Sequence, residues 1–132
     1  MKIGILVISY GARGASMVDA LDKSKHDVDL YVVDKQNNPF NLEKSTEHKI
    51  IPDLDVDKIV EFAKKHENNI RFGLVGPEGP IIDGVRDIIE KKTSIQMVCP
   101  TSEFAIEASK VRQRELLEEI FPEMNPEFKV FD

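Results

Sequence analysis

Apolar residues fall along this chain in short continuous runs, separated by stretches where they recur at three- and four-residue spacing. Five runs, over residues 3–8, 28–33, 48–51, 70–75 and 95–99, have the length and β-branched content of buried strands. Between them Met17, Val18 and Leu21 share one face of a helix over residues 14–23. Val56, Ile59, Val60 and Ala63 do the same over residues 55–65, with Asp55 as N-cap, and Val85, Ile88 and Ile89 over residues 83–92. Strand and helix in alternation imply βαβ units, a mainly parallel sheet of about five strands and right-handed crossovers that put helices on both faces. The expected fold is therefore α/β, a three-layer α/β/α Rossmann-like domain.

Two stretches depart from this rhythm. Residues 34–47, with Asn37, Asn38, Pro39 and Asn41, read as an irregular loop, in its sharper form a lid over a ligand edge. A helix is expected over residues 107–121, and after Pro122 and Pro126 the segment 128–131 reads as the opening of a further strand. The expectation is one domain over residues 1–108, a linking helix and the start of another domain over 109–132, and hence a piece of a longer protein.

The chemistry concentrates where strands end. The run at 70–75 stops in Gly76-Pro77-Glu78-Gly79-Pro80, which leaves one carboxylate on a rigid turn at a strand's carboxyl end, the edge where open parallel sheets bind ligands. The first strand runs into Ser9-Tyr-Gly-Ala-Arg-Gly-Ala-Ser16 and a helix. Glycines let such a backbone turn tightly, the helix N-terminus offers free N–H groups to an anion, and Arg13 adds a planar, multidentate donor. Phosphate suits such a place. The glycines match neither a full G-x-G-x-x-G nor a P-loop, so a dinucleotide reading rests on Asp34, at the end of the second strand, accepting a ribose hydroxyl of NAD.

Charge and composition narrow the picture. The chain has 132 residues, 41% of them hydrophobic, enough for one core of ordinary size. Its 18 basic against 24 acidic residues, net −6, argue against a broad nucleic-acid surface. No apolar run approaches the ~20 residues of a membrane span, and the run behind Met1-Lys2 is too short for a signal peptide and reads as the first strand. Cys99 is the single cysteine, so no internal disulfide can form; it is expected to be a small buried residue in a reducing, cytoplasmic setting. His26, His48 and His66 make no metal-ligand spacing and read as surface or strand-end residues. Asp19 and Asp22 read as a solvated helix face, and Asp53, Asp55 and Asp57 as a loop and N-cap. No metal ligand and no catalytic group is identified in the chain itself.

Taken together, the loops resemble the N-terminal, pre-ATP-grasp domain of the glycinamide ribonucleotide synthetase (phosphoribosylamine–glycine ligase) family, of the ATP-grasp superfamily. The family's Gly-Gly-Arg-Glu-His-Ala loop is matched by Gly11-Ala12-Arg13-Gly14-Ala15-Ser16, and its Val-Gly-Pro-Glu-x-Pro-Leu turn by Val75-Gly76-Pro77-Glu78-Gly79-Pro80-Ile81. Its Gly-Pro-Thr/Ser turn is matched by Cys99-Pro100-Thr101, and its Gly-Ser-Lys helix start by Ala108-Ser109-Lys110. The helix from Lys110 and the tail from Asn125 to Phe131 are similar to archaeal members. Gly14 and Ala15 stand where the family has Glu-His, and Asp34-Lys-Gln-Asn-Asn-Pro-Phe40 replaces the usual Pro-Gly-Asn-Ala-Gly, the pattern of a divergent branch.

By resemblance, the whole enzyme uses ATP, with Mg or Mn, to activate glycine as an acyl phosphate; the amine of 5-phosphoribosylamine attacks it to give glycinamide ribonucleotide, ADP and phosphate in purine biosynthesis. The resemblance implies that Gly11, Ala12 and Arg13 hold the 5′-phosphate, that Glu78, stiffened by Pro77 and Pro80, accepts ribose hydroxyls, and that Lys110 reaches ATP phosphates. The implied partners are small molecules, phosphoribosylamine and glycine, not nucleic acid or membrane. The ATP-grasp unit is missing from this stretch of sequence, so these residues alone are expected to be inactive and to bind no cofactor tightly. A freestanding sensor of a phosphorylated ribose or nucleotide and a small NAD-binding domain stand as alternatives.

Overall fold

The computed structural model describes residues 2–131 and, among these, every side chain but that of Glu107. Five strands form one sheet: β1 (Ile3–Ile8), β2 (Val28–Asp34), β3 (Glu47–Ile50), β4 (Ile70–Val75) and β5 (Gln96–Val98), in the order β3-β2-β1-β4-β5. Every pairing is parallel, so the sheet is wholly rather than mainly so. A parallel sheet needs cover on both faces, and the central strands show it. In β1, Ile5 and Val7 point to one face and Leu6 and Ile8 to the other; in β2, Leu30 and Val32 alternate with Tyr31 and Val33 in the same way.

The helix α1 (Gly11–Asp22) covers the first face with Met17, Val18 and Leu21, and α3 (Val56–Lys65) and α5 (Val85–Lys92) cover the second. The helical stripes read from the sequence are the ones that pack on the core, buried or partly so, with Phe62 added on α3. Asp55 caps α3 as expected, its Oδ1 accepting the Lys58 N–H at 2.9 Å. The result is the three-layer α/β/α arrangement. No helix among the described residues is long and apolar enough to cross a membrane.

Several expectations are corrected. Residues 34–47 are not an irregular loop: they contain α2 (Pro39–Lys44), started by Asn38, whose side chain accepts the Phe40 and Asn41 N–H groups, with Pro39 at the first helical position. The helix expected over 83–92 is shorter and is preceded by one turn, α4 (Glu78–Ile82); Gly84, at φ +79°, separates the two because only glycine takes that conformation readily. The helix expected from residue 107 begins with a 3₁₀ turn, Ile106–Ala108, and becomes α6 over Lys110–Ile120, where the Ser109 hydroxyl accepts the Arg112 N–H. Residues 128–131 pair with nothing and form no strand.

Two histidines are not surface groups. His66 caps α3 and is buried, its ring 5.0 Å from Tyr31 and 4.8 Å from Phe62. His48 lies on β3 with its side chain buried, Nε2 3.8 Å from Asp34 Oδ2. Asp19 and Asp22, read as a solvated face, are partly exposed and pair with Lys23 and Lys44. Cys99 is half-buried rather than buried.

Candidate functional site

β1 and β4 lie side by side at the centre of the sheet, and the chain leaves them in opposite directions, toward β2 from one and β5 from the other. That is a topological switch point, where the carboxyl ends of the strands open a crevice. The two loops singled out in the sequence flank it: Ser9-Tyr10 follows β1, and Gly76-Pro77 follows β4. A cavity of about 180 Å³ opens between Ser9, Tyr10, Gly11, Ala12, Arg13 and Pro77. A second, of about 190 Å³, is lined by Tyr10, Lys35, Asp53, Pro77, Glu78 and Asp83 among others, so Tyr10 and Pro77 form the partition between them.

The first cavity suits an anion. Gly11 begins α1 at φ +60°, a turn that favours glycine. Tyr10 is the N-cap, extended and without a side-chain cap, and the first turn carries no acidic residue. The Gly14 N–H is taken by the Tyr10 carbonyl, which leaves those of Gly11, Ala12 and Arg13 as the open donors of the helix end. About half a positive charge resides there.

Arg13 lies in the first turn of α1, not in a loop before it. Its Nη1 donates to the Gly76 carbonyl at 2.6 Å and stands 3.9 Å from Glu78 Oε2, with both side chains 59% exposed. Such an ion pair in water contributes at most about 1 kcal/mol, but it brings together two residues read separately from the sequence. A guanidinium has five N–H donors, so the Gly76 bond leaves most of them for a ligand. Glu78 is the first residue of α4 rather than the tip of a turn, and Pro77 and Pro80 are buried beside it.

The surroundings bring in Lys35 and Ser9, to which the sequence reading gave no role, and Asp53, which it read as a loop residue. Lys35, just past β2, holds its ammonium 4.6 Å from the centre of the Tyr10 ring, a cation–π contact at the rim of the second cavity. Asp53, across that cavity, has its carboxyl held below the usual value by the Asp55 N–H and the Lys58 ammonium. Ser9 is 1% exposed, and its Oγ has no hydrogen-bond partner among the described residues. Its position in a glycine-rich stretch at a strand end was the one available signal.

Asp34 sits at the end of β2 as expected but is not offered to a ligand. It is fully buried, accepts Asn41 Nδ2 at 2.8 Å and the Gln36 N–H at 3.4 Å, and faces His48. Gly14 abuts the same network: a Cβ there would stand 3.5 Å from Asn41 Nδ2 and 3.3 Å from the Ser9 carbonyl carbon. Position 14 thus looks into the α1–α2 contact, and Asn41 fills space that a longer side chain at 14 would need.

Lys110, the first residue of α6, is exposed and lines neither switch-point cavity. Its helix meets the region through Gln113, which shares a third cavity of about 320 Å³ with Glu78, Ile82, Phe104 and Ile106. The Cys99-Pro100-Thr101 turn is clipped to α5 by Arg86, whose Nη1 donates to the Cys99 carbonyl at 2.6 Å, and by Asp87, which accepts the Ser102 N–H at 2.9 Å. Among the described residues no group of three or more His, Cys, Asp or Glu is placed to hold a metal ion.

Comparison with known proteins bears on the family and the fold. Residues 3–107 match the family described as phosphoribosylglycinamide synthetase, N domain. The phosphoribosylamine–glycine ligase of Pyrococcus furiosus is 34% identical over 131 residues, covering 98% of this chain and 29% of the relative. That of Methanosarcina barkeri is 35% identical over 136 residues, covering 96% and 29%. The chain therefore spans somewhat under a third of the length of these relatives. Among solved structures, glycinamide-RNase-transformylase T of Mycobacterium tuberculosis superposes with a TM-score of 0.69 at 12% identity, over 90% of this chain and 35% of that one. The N5-carboxyaminoimidazole synthetase of Staphylococcus aureus, complexed with ADP, gives 0.66 at 12% identity, over 90% and 31%. At such identities the structures speak for the fold alone. The extent of the family match and the identity to full-length ligases carry the assignment: this chain belongs to the phosphoribosylglycinamide synthetase N-domain family.

Proposed function

We propose that this chain is the substrate-positioning domain of a phosphoribosylamine–glycine ligase, the part that holds 5-phosphoribosylamine while glycine is activated elsewhere. The observation that carries this reading is the convergence of the open α1 N-terminus, Arg13 and Glu78 at the β1/β4 switch point, with Arg13 Nη1 and the Glu78 carboxylate 3.9 Å apart. The N–H groups of Gly11 and Ala12 and the Arg13 guanidinium take the 5′-phosphate. Glu78, fixed by Pro77 and Pro80, accepts the ribose hydroxyls. Neither group reacts; they hold the amine in place for attack on glycyl phosphate, and such positioning converts a bimolecular encounter into a local one.

ATP and its Mg or Mn belong, on this reading, to the portion of the relatives that this chain does not span, and Lys110 reaches toward the nucleotide phosphates from α6. The division at residue 108 follows: residues 1–108 form the substrate domain, and 109–132 lead into the ATP-grasp unit. The exposed apolar residues of this last segment, Val111, Leu116, Ile120 and Phe121, favour such an assembly over a freestanding sensor, because they need a covering surface. On this reading the protein works in the cytoplasm.

The test is a calorimetric titration of ribose 5-phosphate into the 132-residue chain and its Arg13→Ala variant. The wild type binds, and the variant, which loses only an exposed side chain, keeps its fold and binds at least about tenfold more weakly. Equal binding by both removes the phosphate role of Arg13. With ATP, glycine and phosphoribosylamine the chain alone releases no ADP; measurable turnover overturns the division of labour.

A further inference from the structure

Among the described residues the Ser9 hydroxyl is a buried donor without a partner, on a residue that lines the cavity at the α1 N-terminus. Its backbone is fixed by β1–β2 pairing, the N–H donating to the Val33 carbonyl at 3.1 Å, so only the side chain is idle. Ser9 is 1% exposed, and it lines the same cavity of about 180 Å³ as Gly11, Ala12 and Arg13. A buried polar group left unpaired costs about 1–3 kcal/mol. Alanine would fit there without that cost, so the hydroxyl calls for a partner in another state of the protein.

The cover over Ser9 identifies that state. Oγ lies beneath Gly76: a Cβ on residue 76 would overlap it, and would stand 3.1 Å from Cδ of Arg13. The Arg13 stem therefore passes beside Ser9 on its way to the Gly76 carbonyl, which its Nη1 reaches at 2.6 Å. Gly76 is thus the cover over the hydroxyl, and the side chain bonded to its carbonyl, Arg13, is the one that a phosphoryl group would recruit.

We propose that Ser9 Oγ–H is a further donor to the ligand's phosphoryl group, turned to it about the Cα–Cβ bond when Arg13 exchanges the Gly76 carbonyl for that group. This rests on the reading of Gly11–Arg13 as the phosphate cradle. In the exchange Arg13 gives up a neutral acceptor for an anionic one, and charge-assisted bonds are roughly twice as strong as neutral ones. The Gly76 carbonyl, at the open edge, turns to water. Three kinds of donor then meet the group from three sides: helix N–H from the α1 end, guanidinium from above and hydroxyl from the sheet. A tetrahedral phosphoryl group has an oxygen for each, and a planar carboxylate does not.

Calorimetric titration with ribose 5-phosphate and thermal denaturation without ligand, on wild type, Ser9→Ala, Ser9→Gly and Arg13→Ala, test this. Ser9→Ala binds about tenfold or more weakly, as loss of a hydrogen bond to a charged group implies, while its melting temperature without ligand is unchanged or higher. Those opposite directions are what a merely structural serine would not give. Ser9→Gly, which removes the same hydroxyl, also binds more weakly. If Ser9→Ala binds like wild type while Arg13→Ala does not, Ser9 plays no part and the cradle stands. If Arg13→Ala binds like wild type, the cradle and the inference both fall. A Ser9→Ala protein that melts lower makes the hydroxyl structural and overturns the proposal.

Discussion

Asn41 donates through Nδ2 to the Asp34 carboxylate at 2.8 Å, and both side chains are sealed from solvent. The bond ties α2 to the end of β2, and through Gly14 the same network touches the first turn of α1. A carboxylate buried at 0% exposure is tolerable only with partners. Asn41→Ala removes the side-chain donor and is predicted to lower stability by about 3 kcal/mol, read as a fall in urea midpoint with an unchanged denaturant slope. A loss below about 0.5 kcal/mol would show that solvent reaches Asp34. The same closure predicts that NAD does not bind through Asp34, so titration of NADH leaves its fluorescence unchanged in wild type and in Asp34→Asn.

Gly76 and Ser9 are predicted to be coupled. A methyl on residue 76 collides with Ser9 Oγ and crowds its Cβ at 3.0 Å, where neither backbone can yield because β1 and β4 are hydrogen-bonded neighbours. Gly76→Ala is expected to cost about 1–3 kcal/mol. Added to Ser9→Gly, which clears both atoms, it should cost distinctly less, and a double-mutant cycle by urea denaturation measures the difference. Strict additivity would mean that the strain is relieved elsewhere, through the Arg13 stem.

Much of this architecture is legible in the chain. The runs through Ile5–Ile8 and Leu30–Val33 are apolar on both faces, which marks a parallel sheet with two covers, and the stripes Val56/Ile59/Val60/Ala63 and Val85/Ile88/Ile89 mark the helices behind it. What escaped depends on contacts distant in sequence. Asn38-Pro39 looks like a turn, yet the same pair is an N-cap and a first helical residue; α2 is six residues long and carries a buried asparagine in place of an apolar stripe. His66 looks polar but is packed between two aromatic rings. At the site, Arg13 and Glu78 were visible as motif residues, and their proximity followed only once β1 and β4 proved to be neighbours. Lys35 carries no local signature and Ser9 only its place in a glycine-rich stretch: one is placed by the Tyr10 ring, the other by the absence of a side chain at Gly76.

Cys99 gives a pH-dependent readout. Burial pushes its thiol above the ordinary value, with nearby Arg86 opposing. Thiolate is therefore scarce at neutral pH, and alkylation by iodoacetamide at pH 7.5 is predicted to be slower than that of free cysteine and to accelerate only at higher pH. The linked stability has a definite sign: a folded-state value above the unfolded one gives a contribution that is complete below the unfolded thiol value and lost as pH rises through the folded one. Alkylation at the rate of free cysteine would place the thiol in solvent and remove the effect.

The end of the chain makes the last prediction. α6 buries none of its residues, and Leu116, Ile120, Phe121, Met124, Phe128 and Phe131 are all exposed. Its tie to the body is slight: Gln113 Nε2 donates to the Ile106 carbonyl at 3.2 Å. Both core clusters, by contrast, are complete by Cys99. A protein ending at residue 108 should therefore fold with a stability within about 1 kcal/mol of the longer chain, since hydrophobic stabilisation follows buried rather than exposed apolar area. It should also bind ribose 5-phosphate with the same affinity, because no described residue after 108 lines either switch-point cavity. Removing so much exposed apolar surface should raise the concentration at which the protein associates, which light scattering detects. If the truncated protein unfolds, or binds the sugar phosphate more weakly, the segment is part of the domain and the boundary at 108 is wrong.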